Sequence, residues 1–178
     1  MNIKKYIIFI FTLFLLSCNK QQFREEIKSL RNSRIELVLD SMQYARPINE
    51  MVSISECQFV YVSYVDSMSC SSCTLSHLSD WYFLTQNINK NVLDYIFIIA
   101  PQKDDRKKVF EKVGHDLING RHVYIDTLGV FERHNHHFPQ NKMLHTFLID
   151  KECNVVLIGN PLKNAQIEEL LNKIVEGQ

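Results

Sequence analysis

The amino-acid sequence predicts an α/β fold with a central mixed β-sheet and helices on both of its faces. Apolar strand patterns alternate with amphipathic helical patterns along most of the chain, which is typical of folds with parallel sheets. Two short strand patterns late in the sequence follow each other without an intervening helix and predict an antiparallel hairpin. A last amphipathic helical pattern then closes the fold.

The 178-residue chain begins with a segment that has the layout of an export signal. Lys4 and Lys5 precede an apolar run, residues 6–16, which is too short to span a membrane comfortably. The sequence Leu-Leu-Ser-Cys at residues 15–18 resembles a bacterial lipobox, in which the cysteine is lipidated and becomes the first mature residue. The alternative is an ordinary signal peptide, or a short membrane anchor, in which Cys18 is incidental. We expect an exported protein with a lipid anchor on a bacterial cell membrane, facing the periplasm or the exterior.

The rest of the chain has the size of one domain. We expect residues 1–18 to be the lipoprotein signal segment, residues 19–33 a tether or short amphipathic helix, and residues 34–178 the folded domain. Lysine and arginine together number 20, as do aspartate and glutamate, so the formal net charge is zero. This composition gives no indication of nucleic-acid binding or of a polybasic membrane surface.

The first half of the domain contains two strongly apolar strand patterns. A weaker, partly alternating pattern at residues 34–40 predicts a peripheral strand. The run Phe59–Val65 predicts a central strand that is buried on both faces. Apolar residues at three- and four-residue steps then predict a helix over residues 72–87, with Trp81 in the core, and residues 92–100 predict a second buried strand.

The second half continues the alternation and ends with the hairpin. The predicted elements, in order, are a helix at residues 104–115, a strand at 121–126, a histidine-bearing loop at 128–141, hairpin strands at 144–150 and 155–158, and a helix at 163–176. The three histidines of the loop, at positions 134, 136 and 137, are expected to lie on a solvated surface.

Cys70 and Cys73 stand between the central strand and the helix that follows it. A cysteine in the first turn of a helix lies near unpaired backbone N–H groups and the positive end of the helix dipole, which stabilise its thiolate. A second cysteine one turn later can close a disulfide with the first. This spacing predicts thiol–disulfide chemistry, with a zinc site or a disulfide that never turns over as the alternatives.

In this order of elements, the sequence resembles the thioredoxin superfamily, in particular the membrane-tethered thioredoxin-like lipoproteins among the bacterial thiol–disulfide oxidoreductases. The resemblance covers about residues 34–175 and is carried by the central strand running into Cys70-Ser71-Ser72-Cys73, by the strand Thr146–Asp150, and by the C-terminal helix. It implies a thioredoxin-like fold in which Cys70 is the exposed nucleophile and Cys73 the buried resolving thiol.

The same resemblance implies a function. It implies exchange with protein or small thiol–disulfide substrates, more as a reductant than as an oxidant, and reduction by a membrane redox partner. No bound cofactor is expected.

Two positions depart from the family pattern. Ser69 precedes the first cysteine, where an aromatic residue is usual, and His145 stands before Thr146, where the family has a cis-proline. A cis bond before a residue other than proline costs about 3 kcal/mol or more, so we expect the Leu144–His145 bond to be trans. The imidazole is a candidate to lower a thiol pKa, shuttle a proton or help bind a metal, and a histidine without a role is the alternative.

Two further functions are compatible with these residues. Cys70, Cys73 and His145 together offer a soft three-ligand set suited to copper(I), as in a metal-binding or metal-delivery module. The other is a non-catalytic thioredoxin-like interaction domain that lacks the cis-proline.

The remaining cysteines of the domain are Cys57 and Cys153. In the thioredoxin arrangement the hairpin strand runs antiparallel to the central strand, so both cysteines would lie at the pole of the sheet opposite to the CxxC motif. A structural disulfide between them is a candidate if their Cα atoms come within about 7 Å. Two separate thiols are the alternative.

Overall fold

The computed structural model describes residues 20–44, 57–69, 80–81, 84, 88–89, 91–116 and 122–177. Cys18, Cys70 and Cys73 lie outside these residues, as does most of the predicted helix at 72–87. In the described ranges, no helix combines the length and the hydropathy that crossing a membrane requires.

Six strands of the described chain form one mixed sheet. They are β1 (Gln43–Tyr44), β2 (Phe59–Val65), β3 (Leu93–Ile99), β4 (His122–Ile125), β5 (Thr146–Asp150) and β6 (Val155–Ile158), in the spatial order β1-β4-β3-β2-β5-β6. The central strands β2, β3 and β4 are parallel, whereas β5, β6 and β1 each pair antiparallel to a neighbour. The pairing of β5 with β6 shifts register at Leu148 and Ile149. The predicted α/β class, parallel centre and late hairpin are confirmed.

Helices pack on both faces of this sheet. They are α1 (residues 20–31), α2 (Arg106–Asp116), α3 (Val130–His134) and α4 (Ala165–Val175), and residues 80, 81 and 84 are also helical. A 3-10 turn at Lys103–Asp105 leads into α2. The helices predicted at residues 104–115 and 163–176 are therefore confirmed.

The sheet separates two apolar clusters because side chains alternate between its faces along each strand. In β2, Val60 and Val62 belong to one cluster and Tyr61 to the other. Leu30 of α1 is fully buried in the first cluster, so α1 packs on the sheet and is not only a tether. Trp81 is buried in the second cluster, as predicted.

The peripheral strand predicted at residues 34–40 is wrong. This segment makes one isolated bridge, between Arg34 and Asn154, and Val38 has a left-handed φ of 46° that interrupts an extended path. The side-chain amide of Asn135 holds the segment instead, because its oxygen accepts from Glu36 N and its nitrogen donates to Glu36 O. The edge strand of the sheet is β1, which follows this segment.

The segment predicted as a loop at residues 128–141 contains the short helix α3. The carboxylate of Asp126, which is 2% exposed, accepts hydrogen bonds from Val130 N and Phe131 N, both at 2.9 Å. These two bonds satisfy N–H groups that have no partner within the helix itself. The histidines at positions 134, 136 and 137 are exposed, as predicted.

Candidate functional site

A cavity of about 450 Å³ opens where β2 ends. Its walls include Ser69, Trp81, Lys142, His145 and Lys163. Ser69 is the residue immediately before Cys70, which itself lies outside the described residues. The last described residue before the predicted CxxC motif therefore lies in the wall of this cavity.

Asp66, the first residue after β2, accepts hydrogen bonds from the residues that lead to this motif. Its Oδ1 atom accepts hydrogen bonds from Met68 N at 3.0 Å and from Ser69 Oγ at 2.7 Å. The Nζ atom of Lys142 lies 3.3 Å from the same oxygen. Burial alone would raise the pKa of Asp66, but the bonds from Ser69 and Lys142 outweigh it and hold that pKa below its ordinary value. Asp66 is therefore a carboxylate at neutral pH.

His145 is held in one orientation. Its side chain is 5% exposed, and its Nε2 atom lies 2.9 Å from the carbonyl oxygen of Pro139. Since a carbonyl only accepts, Nε2 carries the hydrogen, and Nδ1 is left with a lone pair. Nδ1 lies 3.9 Å from Oδ2 of Asp66, and the rings of Tyr64 and Phe138 pack beside the imidazole. The Leu144–His145 bond is trans, as predicted.

The surroundings of His145 keep it neutral. Burial lowers its pKa, although the bond to Pro139 and the charge of Asp66 act in the opposite direction. An uncharged imidazole with a lone pair on Nδ1 is a base, and the Asp66 carboxylate would stabilise it once protonated.

This arrangement predicts that acid destabilises the fold through His145. Its folded pKa is lower than its unfolded pKa of about 6.5, so the unfolded chain binds the proton first as the pH falls. The stabilisation that neutral His145 contributes to the free energy of unfolding is complete above about pH 6.5. It is lost as the pH falls through the lowered pKa of the folded state. Urea unfolding between pH 7.5 and 5 should show this loss of stability. In the variant His145→Gln, the free energy of unfolding should depend less on pH. His136→Gln, at an exposed histidine, is the control, and equal slopes in wild type and His145→Gln would contradict the assignment.

The ring nitrogens of His145 also bear on the copper interpretation. Nε2 is bonded to Pro139, so only Nδ1 remains for a metal. Within the described ranges, histidine, cysteine, aspartate and glutamate side chains form no group of three or more suited to a metal ion.

Sequence reasoning missed part of this site. It found His145 from the family pattern, but gave Asp66 no role and did not single out Lys142. A carboxylate four residues before Cys70 was the available signal for Asp66. Lys142 stands 76 positions further along the chain from Asp66, and only the pairing of β2 with β5 brings the two together.

Comparisons with known proteins identify the fold. No protein-family model matches the chain, and no curated protein is significantly similar in sequence. A thioredoxin-like protein in its oxidised form superposes with a TM-score of 0.53 at 15% identity, covering 84% of this chain and 98% of that one. The C-terminal domain of a Bacteroides thetaiotaomicron protein classed as a thiol–disulfide oxidoreductase gives 0.53 at 14% identity, covering 84% and 99%. The chain has a thioredoxin-like α/β fold, shared with these proteins at low sequence identity.

Proposed function

We propose that this protein exchanges thiols and disulfides through Cys70 and Cys73. The thiolate of Cys70 attacks a substrate disulfide, which forms a mixed disulfide and releases the first substrate thiol. Cys73 then attacks Cys70, releases the second substrate thiol and closes the Cys70–Cys73 bond. The substrate gains two electrons and two protons, and the protein loses them.

The cavity at the end of β2 is the observation that carries this proposal. It adjoins the residue before Cys70, and its wall contains both an apolar surface from Trp81 and a base from His145. A resolving thiol must lose its proton before it can attack, and the lone pair on Nδ1 of His145 is suited to accept it. Lys142 balances the charge of Asp66, which would otherwise oppose thiolate formation nearby.

We also propose that the protein acts outside the cytoplasm, as a reductant on a lipid anchor at Cys18. An exported disulfide reductase needs a supply of electrons, and a membrane redox partner would provide them by reducing the Cys70–Cys73 bond. Disulfides persist in such compartments, so substrates for a reductant are available there.

The reduction potential of the Cys70–Cys73 pair tests the proposal. Full-length protein is equilibrated in glutathione buffers and in dithiothreitol buffers of graded potential, and the thiols are trapped and counted in peptides by mass spectrometry. Exchange proteins have potentials between about −120 and −270 mV, so a transition in that range would support exchange. A transition below about −300 mV would indicate a structural bond and would overturn the proposal.

A further inference from the structure

Two cysteines lie at the end of the sheet opposite to the cavity. Phe59 of β2 is opposite Asp150 of β5 in antiparallel register. Cys57 stands two residues before Phe59, and Cys153 stands three residues after Asp150. Opposed Cα atoms in such a pair are about 4.5–5.5 Å apart, so both cysteines lie within three residues of one paired position at this end of the sheet.

The turn after β5 is tight around Cys153. The side chain of Asp150 accepts hydrogen bonds from Glu152 N at 3.0 Å and Asn154 N at 2.8 Å, and Cys153 N donates to Asp150 O at 3.0 Å. Cys153 has a left-handed φ of 64°, a conformation that hairpin turns usually give to glycine or asparagine. The turn itself therefore does not account for a cysteine at position 153, whereas a role for its thiol would.

Both cysteine side chains pack in the same apolar cluster. Cys57 is 3% exposed within it, and Cys153 is partly buried against it. Ile35 closes over the turn, because its buried side chain joins the cluster and its N–H donates to Cys153 O at 2.9 Å. Solvent therefore reaches Cys153 but scarcely reaches Cys57.

No disulfide joins Cys57 and Cys153 in the structure. We propose that they form one when the protein is oxidised by a low-molecular-weight disulfide. Cys153 attacks first, because it is the more exposed; one half of the reagent leaves as a thiol, and the other half stays on Cys153 as a mixed disulfide. Cys57 then displaces the second thiol and closes the Cys57–Cys153 bond. The protein loses two electrons and two protons, and the reagent takes them up as two thiols.

The bond would connect the start of β2 with the turn between β5 and β6. Burial raises the pKa of the Cys153 thiol, which suits a slow structural oxidation and not rapid exchange. Closing a long loop stabilises a fold by restricting its unfolded state, so oxidation should raise the melting temperature by roughly 5–10 °C.

The test uses the full-length double variant Cys70→Ser/Cys73→Ser, so its outcome does not depend on exchange activity. The reduced protein is incubated with oxidised glutathione, alkylated under denaturing conditions and digested without reduction for mass spectrometry. We expect a cross-linked peptide pair containing Cys57 and Cys153, together with the rise in melting temperature.

The matched control adds Cys153→Asn, which keeps a side chain that tolerates the left-handed turn but removes the thiol. It should fold and give neither the cross-link nor the rise in melting temperature. Complete alkylation of both cysteines after oxidation would overturn the proposal. A stable glutathione adduct on Cys153 with Cys57 still alkylated would overturn it as well.

Discussion

Serine in place of Cys70 is expected to abolish the reduction of protein disulfides. A hydroxyl is not ionised at neutral pH and cannot displace a sulfur atom from a disulfide, whereas a thiolate can. The rate of insulin reduction, with dithiothreitol as the electron source, should fall ~100-fold or more toward the uncatalysed rate. The measurement is the turbidity that appears as the insulin chains separate.

The companion variant Cys73→Ser distinguishes the roles of the two cysteines. With the resolving thiol removed, Cys70 should still attack, and the mixed disulfide with insulin should accumulate on a non-reducing gel. Cys153→Asn, which alters the opposite end of the sheet, should reduce insulin at the wild-type rate. Equal activity in wild type and Cys70→Ser would contradict the proposed function.

Alanine in place of Phe147 is expected to remove much of the stability of the fold. The Phe147 side chain is fully buried, and its ring lies 5.8 Å from that of Phe138. Within the sheet, Phe147 is opposite Val62 of β2 and Ile158 of β6. Truncating a buried phenylalanine to alanine costs about 3–5 kcal/mol, out of a total of about 5–15 kcal/mol for a typical domain. Urea unfolding monitored by circular dichroism measures the difference.

Two variants accompany this measurement. Phe147→Leu retains most of the buried volume and should cost clearly less than Phe147→Ala. Leu170→Ala, on the helix α4 at a side chain that is 45% exposed, should change the free energy of unfolding by less than about 1 kcal/mol. A loss for Phe147→Ala as small as that for Leu170→Ala would contradict the packing described around β5.

The elements that sequence patterns predicted well are those whose burial is strongest. The strands β2 and β3 are almost entirely buried, so each is a nearly continuous apolar run in the sequence, interrupted only by Ser63 in β2 and Asp94 in β3. The helix α4 keeps apolar residues on one side, and the side chain of Asn164 accepts from Gln166 N at its start. In these cases the local pattern and the final environment agree.

The elements that were mispredicted depend on distant polar contacts. Residues 34–40 have a strand-like composition, yet the bonds that hold Glu36 come from Asn135, which lies 99 positions away. The strand β1 has two residues, too few for any periodicity, and it exists because β4 offers an open edge. The charge pair of Asp66 and Lys142 likewise follows from strand pairing, which no local pattern contains.

The outer strands of the sheet also limit how this protein can associate with other chains. At one edge β1 pairs with only two residues of β4, and at the other edge β6 is four residues long beside an irregular register. Short and irregular edges are poor templates for strand addition, which is the usual first step of aggregation through sheets. Either edge of the described sheet therefore offers little backbone for pairing with a strand of another chain.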